Sequence, residues 1–242
     1  MEWVPALVGA LVGLAGGWCV PRLIAWCPEP EADPDENPDD FPDHVRFADL
    51  AARRGLGVRC AIASAVAGAV IGAFIGWGWA LLWLLPLVPV CCALTVIDYV
   101  TWYLPKRLVL PSYGMVAMLE VVAAVVLGEP RILAWAAGGF VALGAYYGLL
   151  WFISPRMMAF GDVRLGALIG LALGPFGART LLVSVFAAAL ISLLAYLPMK
   201  LRGNAIRREG SRGPLKENVP YGPFLVLGAL AAIVVGQVLA VS

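Results

Sequence analysis

Residues 79–98 read WALLWLLPLVPVCCALTVID, an apolar run of twenty residues that ends in Asp98. A helix needs about 20 apolar residues to cross the hydrocarbon core of a bilayer. Over the whole chain of 242 residues, 62% are hydrophobic and 14% are charged, against roughly 45–50% and about 25% in soluble domains. The composition therefore predicts an all-α, polytopic transmembrane bundle, and the net charge of +1 argues against nucleic acid as a partner.

Seven further apolar runs resemble this one and predict about eight membrane spans in all. The spans are placed at residues 3–21, 60–77, 79–98, 111–128, 131–153, 162–177, 179–199 and 220–241. The sixth span is short, which a membrane helix tolerates where protein or a water-filled cavity surrounds it. Three spans have glycine at every fourth residue, which predicts close helix packing within the chain. These glycines are Gly9, Gly13 and Gly17; Gly68, Gly72 and Gly76; and Gly166, Gly170 and Gly174.

The basic residues predict the orientation of the bundle. With both termini on the outer side, 15 of the 17 Lys and Arg residues fall in inner loops, and only Arg131 and Arg179 fall outside. This asymmetry is the positive-inside pattern. Segment 28–44 differs from the rest, because it holds eight acids, five prolines and no Lys or Arg, and we expect it to be solvated and extended. We divide the chain into residues 1–59, the first span with this acidic, proline-rich cytoplasmic loop, and residues 60–242, the transmembrane core.

Acidic residues stand out where the chain enters the membrane, since a charge at the bilayer centre costs roughly 2.5–3.5 kcal/mol. Asp98 ends the third span and Asp162 begins the sixth, so both are expected near the cytoplasmic face although 64 residues separate them. Two carboxylates that meet can share a proton, which is the arrangement needed to activate water against an amide. The spacing equally allows each acid to cap a helix or to pair with a nearby arginine. The arginines in reach are Arg107, Arg156 and Arg164.

Local sequence also distinguishes the acids. Asp162 lies at a helix N-terminus, where the helix dipole favours an anion, and Asp98 lies near a helix C-terminus, where it does not. We therefore expect Asp162 to be the ionised partner and Asp98 to hold the proton. A third acid, Glu120, lies in the middle of the fourth span without a basic partner. It is interpreted as bonding to a neighbouring helix or facing a cavity.

Three stretches resemble the prepilin peptidases, or type IV leader peptidases, of the GxGD intramembrane aspartic proteases. The first is Asp98 followed by Pro105 and Pro111, as in the family's D-x6-P-x5-P stretch. The second is FGDVRL at residues 160–165, similar to the family's GxGDVKL. The third is VPYGPFL at residues 219–225, similar to the family's I-P-F-G-P-F-L. The matched region covers residues from about 90 to the end of the chain.

This resemblance implies that residues 60–242 are the peptidase core of a multi-pass plasma (inner) membrane protein. It implies that Asp98 and Asp162 are the catalytic pair of an aspartic endopeptidase whose active site faces the cytoplasm. The implied substrates are prepilin-like or pseudopilin-like proteins of type IV pili or protein secretion, cut between a short basic leader and a hydrophobic segment. No cofactor is implied. The residues implied to shape the site are Gly161, Pro105, Pro111, Arg164, Pro220, Gly222 and Pro223.

The chain also departs from the family pattern. Ala159 stands where the family has the first glycine of GxGD, and Arg164 replaces the usual lysine. Many members carry a four-cysteine zinc element in the first cytoplasmic loop, whereas this loop holds only Cys27. We therefore expect no metal site, and the sequence gives no support to the N-methyltransferase activity of those members.

Three other functions stay open at this point. Another GxGD protease, of the signal-peptide-peptidase type, would show a PAL motif where this chain has PYGP at residues 220–223. A Ser-Lys protease would use Ser112 and Lys106, although Lys106 lies in a basic loop beside Arg107. A transporter would use membrane acids for proton coupling, with Asp98, Glu120 and Asp162 as the carriers. Transporters usually show inverted repeats, and none is evident here.

Overall fold

The computed structural model describes residues 3–29, 45–153, 158–201 and 220–241. All regular structure in these ranges is helical, which confirms the predicted all-α class. The helices are α1 (Trp3–Trp18), α2 (Val20–Ala25), α3 (Phe47–Ala51), α4 (Leu56–Ile75), α5 (Leu81–Thr101), α6 (Lys106–Leu127), α7 (Arg131–Ile153), α8 (Phe160–Leu173), α9 (Ala178–Leu201) and α10 (Gly222–Val241). Most of the acidic segment 28–44 and of the basic loop before α10 lies outside the described residues.

Five of these helices are long and apolar enough to cross a membrane, namely α4, α5, α6, α7 and α9. The apolar stretches of α1 and α10 are shorter, and α8 has 14 residues. At 1.5 Å per residue, α8 is about 21 Å long against a hydrocarbon core of about 30 Å. Large apolar side chains such as Val125 and Phe186 point away from the bundle, as in helices that face lipid. The count of eight spans and the side of each terminus stay predictions.

Helices α1 and α4 are joined along a line of small residues, and they run antiparallel. Gly9 lies against Gly68, and Gly13 lies against the backbone of Ser64, so closely that a methyl group at either glycine would overlap a carbonyl oxygen. The predicted close packing of these two glycine rows is therefore confirmed. Gly76 is different, because it ends α4 with φ 65°. The proposed boundary at residue 59/60 lies inside α4, the helix on which α1 packs.

Helices α7 and α8 form a second glycine-lined pair. Gly170 and Gly174 of α8 lie against the backbone of Gly139 and Trp135 in α7. Nearly every side chain of α8 is buried, which makes it the central helix of the bundle. At its far end, the indole N–H of Trp83 in α5 donates to the carbonyl of Ala172 at 3.0 Å. Protein therefore surrounds α8, as is expected for a span too short to cross the bilayer alone.

One end of the bundle collects the last turn of α5 and the first turns of α6, α8 and α10, and we call it the site end. The chain turns from α5 into α6 at Trp102, which has φ 55°, and within the described ranges it is the only residue other than glycine with a positive φ. Leu104 follows and packs on Gly161 at the start of α8. Phe47 of α3 lies beside Tyr103, with ring centroids 6.2 Å apart. The Leu104 contact therefore fixes the start of α8 against the segment that joins α5 to α6.

Candidate active site

Asp98 lies in the last turn of α5 and is 4% exposed. Its Oδ2 accepts a hydrogen bond from the backbone N–H of Gly222, the first residue of α10, at 2.9 Å. The first N–H groups of a helix lack partners within the helix, and the proline that follows, Pro223, has no N–H at all. A Cβ at position 222 would lie 2.6 Å from the same oxygen. Glycine is therefore the residue that lets the backbone of α10 reach the carboxylate.

Asp162 is the third residue of α8 and is also 4% exposed. Its Oδ2 accepts a hydrogen bond from the backbone N–H of Ala159 at 3.2 Å, as an acid at this position of a helix often does. Its Oδ1 is buried and has no hydrogen-bond partner among the described residues. Gly161 precedes it, and a Cβ there would lie 2.8 Å from the Cβ of Leu104. Ala159 has an extended backbone, with φ −75° and ψ 149°, so alanine fits where the family has glycine.

The structure brings the two acids to the same end of the bundle, and a charge on Asp98 acts on Asp162. Of the three arginines that the sequence offered as alternative partners, Arg156 lies outside the described residues, and Arg107 and Arg164 point elsewhere. The guanidinium of Arg107 lies over the ring of Trp26 at 4.2 Å, and that of Arg164 lies over the ring of Phe160 at 4.6 Å. Within the described ranges, neither arginine forms an ion pair with Asp98 or Asp162. The catalytic role of the two acids stays a prediction.

The electrostatic difference between the acids is smaller than the sequence suggested. Asp98 lies at the C-terminus of its own helix, but its carboxylate bonds to the N-terminus of α10. Each acid therefore accepts one backbone N–H at the positive end of a helix dipole. Along the sequence only the helix that carries each acid is visible, because the start of α10 lies more than 120 residues after Asp98. Which acid holds the proton stays a prediction.

The other predicted site residues lie around this pair at different distances. Pro105 is buried and precedes the first residue of α6, where it sets the start of that helix. Pro111 lies inside α6 and is exposed. The backbone carbonyl of Arg164 accepts a hydrogen bond from the hydroxyl of Tyr113 at 2.6 Å, which ties α8 to α6. Pro220 and Pro223 lie on either side of the Tyr221-Gly222 start of α10.

Two tyrosines at this site were not singled out from the sequence. Tyr147 in α7 is 2% exposed, and Tyr221 directly precedes Gly222. Their ring centroids lie 6.4 Å apart, and both side chains lie in the electrostatic field of Asp162. The available signal was the pair Tyr146-Tyr147 in an otherwise apolar span, but only the folded chain shows which acid it approaches.

The residues of the alternative functions are placed differently. Ser112 is buried and its hydroxyl donates to the carbonyl of Leu108 at 2.7 Å, whereas Lys106 is exposed. The structure therefore does not bring Ser112 and Lys106 together as a protease pair. Glu120 is completely buried in α6, and neither of its carboxylate oxygens has a hydrogen-bond partner among the described residues.

Cys27 follows α2 and is 6% exposed. Its thiol donates to the carbonyl of Leu23 at 3.3 Å. Burial raises the pKa of the Cys27 thiol to about 11, although the positive charge of Arg107 opposes the shift. The described residues contain no group of three or more His, Cys, Asp and Glu side chains placed to hold a metal ion.

Comparison of the chain with protein-family models, with curated proteins and with solved structures gives no match in any of the three.

Proposed function

We propose that the protein is a membrane-embedded aspartic endopeptidase that removes the leader peptide from prepilin-like substrates at the cytoplasmic face of the membrane. One observation carries the proposal: two buried acids from distant parts of the sequence, Asp98 and Asp162, lie at the same end of the bundle. A buried charge is costly in this environment. Two buried acids at the same end of the bundle therefore favour a chemical role, and the three prepilin peptidase-like motifs lie around them.

The mechanism follows from the pair. One aspartate, in its ionised form, draws a proton from water, and the protonated aspartate donates a hydrogen bond to the carbonyl oxygen of the scissile peptide. The water oxygen then forms the new bond to the carbonyl carbon, and the nitrogen of the leaving chain takes up a proton as the peptide bond breaks. The N–H groups of Gly222 and Ala159 hold one oxygen of each carboxylate, which leaves the other oxygen of each acid for water and substrate.

The location of the pair suits a substrate with a basic leader followed by a hydrophobic helix. The acids lie at an end of the bundle, beside α5, α8 and α10, rather than halfway along its helices. The hydrophobic segment of the substrate then stays in the bilayer and the leader stays in water. A cut just before the hydrophobic segment follows from this arrangement.

The test is to replace each acid by asparagine and to express each variant with a type IV prepilin substrate. Asp98→Asn and Asp162→Asn are each expected to leave the precursor uncut while the protein still inserts into the membrane. Asp49→Asn is the matched control, because Asp49 is an acid in α3 that is largely exposed and paired with Arg46 at 2.9 Å. Full maturation of the prepilin by either active-site variant would overturn the proposal. Cutting of signal-peptide remnants but not of prepilin would instead indicate the other GxGD protease type.

A proton-coupled transporter is the second candidate, and Glu120 favours it. This acid is fully buried and without a hydrogen-bond partner among the described residues, as a proton-carrying group within a membrane protein can be. The two candidates separate on Glu120→Gln. A peptidase keeps its cleavage activity with this variant, whereas a transporter that uses Glu120 loses proton uptake in proteoliposomes.

A further inference from the structure

Tyr147 occupies a position that α8 leaves open for it. The edge of its ring lies against Gly166, one turn beyond Asp162 in α8, so closely that any side chain at position 166 would overlap the ring. The ring is 2% exposed. The glycine thus directs a buried, polar-tipped side chain of α7 along the same face of α8 that carries Asp162.

Tyr221 approaches the same point from the start of α10. Its ring centroid is 6.4 Å from that of Tyr147, so two phenol side chains come together beside α8. Both tyrosines also lie in the electrostatic field of Asp162. Two hydroxyl groups carry two protons, and a bond from one hydroxyl to the other uses only one of them. One O–H is therefore left to donate to a third group.

Asp162, one turn before Gly166 in α8, has a carboxylate oxygen that lacks a hydrogen-bond donor in the described part of the chain. Oδ1 of Asp162 is buried and without a partner among the described residues, and an unpaired buried oxygen is unfavourable. A water molecule can donate to this oxygen and accept the remaining tyrosine O–H at the same time. Such a water is held in place by two bonds, with its oxygen free to attack a carbonyl carbon.

We propose that Tyr147 and Tyr221 act together as positioning residues that hold the attacking water against Asp162. This inference rests on the proposed peptidase function and adds to it a role for two side chains outside the acid pair. Neither tyrosine gives up its proton in the reaction, since Asp162 receives the proton from water. The hydroxyls, and not the rings, carry the role.

The test removes each hydroxyl and keeps each ring. Tyr147→Phe, Tyr221→Phe and the double variant are compared with the wild type in a cleavage assay of purified protein with a prepilin substrate. Each single variant is expected to lower kcat about 10- to 100-fold, the cost of a misplaced reacting group, with KM changed less than about twofold. The two hydroxyls act as one unit, so removing both costs no more than removing one. The kcat of the double variant is therefore expected to be about equal to the lower kcat of the two single variants. Tyr99→Phe is the matched control, since Tyr99 follows Asp98 in the chain but is 71% exposed.

Asp162→Asn is measured in the same assay to separate the two levels of the proposal. If Asp162→Asn cleaves like the wild type, the peptidase assignment is wrong and the role of the tyrosines is wrong with it. If Asp162→Asn is inactive and both tyrosine variants keep wild-type kcat, only the role of the tyrosines is wrong. A purely structural role would lower the melting temperature and the activity together, and it is distinguished by the unchanged melting temperature that we expect for Tyr147→Phe.

Discussion

Replacing Gly222 by alanine is expected to slow cleavage without unfolding the protein. The backbone N–H of Gly222 donates to Oδ2 of Asp98 at 2.9 Å, and an alanine Cβ at this position would lie 2.6 Å from the same oxygen. Ordinary contacts of a Cβ begin at 3.4 Å. The carboxylate and the start of α10 must therefore separate by about 0.8 Å. The hydrogen bond between them is then stretched or lost.

The size of the effect follows from the bond that is lost. A hydrogen bond to a charged group contributes about 1.5–3 kcal/mol. A loss of this size in the transition state corresponds to a decrease of about 10- to 100-fold in kcat/KM. Alanine is also the better helix former by about 0.5–1 kcal/mol, which offsets part of the steric cost for stability. Activity is therefore expected to fall much more than the melting temperature.

The assay measures cleavage of a purified prepilin by gel shift, and thermal unfolding of the same preparations in detergent. Gly138→Ala is the matched control, because nothing lies within 4 Å of a Cβ at that position in α7. It should cleave at the wild-type rate. A Gly222→Ala variant that is folded and cleaves as fast as Gly138→Ala would refute the reasoning that α10 holds Asp98 in its reactive position.

Three further predictions concern other parts of the molecule. Gly9→Ala places a methyl group on the backbone carbonyl of Gly68, so we expect it to destabilise the protein by about 1–3 kcal/mol; thermal unfolding equal to that of Gly138→Ala would contradict the close α1–α4 contact. Glu120→Leu removes a buried carboxylate that has no hydrogen-bond partner among the described residues. The free energy of unfolding is therefore expected to rise by about 1–3 kcal/mol. A loss of stability would show that the acid has a partner. In a variant that keeps only Cys27, the raised pKa of about 11 predicts alkylation by iodoacetamide at pH 8 about 100-fold slower than for a free thiol. That rate should increase up to about pH 11, and a free-thiol rate at pH 8 would show that Cys27 is not buried.

The helices were largely predictable from the sequence, and their ends were not. The apolar run at 111–128 predicts a span, but α6 begins at Lys106. Apolar runs mark the part of a helix that lies in lipid, whereas the helix itself continues through polar residues up to its cap, here Pro105. The glycine rows predicted close packing in general. They did not show that α1 pairs with α4 and α7 with α8, because many helices can meet a glycine-lined face.

The candidate site was only partly predictable for the same reason. Asp98 and Asp162 stand out because acids are rare in apolar spans, and this rarity can be seen in the sequence alone. Gly222 entered only through a motif resemblance, and the structure supplies its physical reason, the contact with Asp98. Tyr147 is neither an unusual residue type for an apolar helix nor part of a family motif. Its importance depends on Gly166 of another helix, which no local pattern reports.

The glycine contacts have a mechanical consequence. In the pairs α1 with α4 and α7 with α8, the two backbones are in direct contact. No long side chains lie between them, so each pair is expected to move as one rigid unit. Asp162 and Tyr147 move with the α7–α8 pair, while Asp98 belongs to α5 and is bonded to the first amide of α10. Under the proposed peptidase function, a substrate peptide reaches the acids when α5 and α10 move relative to the α7–α8 pair. The displacement that admits the peptide also separates Asp98 from Asp162, so cleavage is expected only after the two acids have come together again.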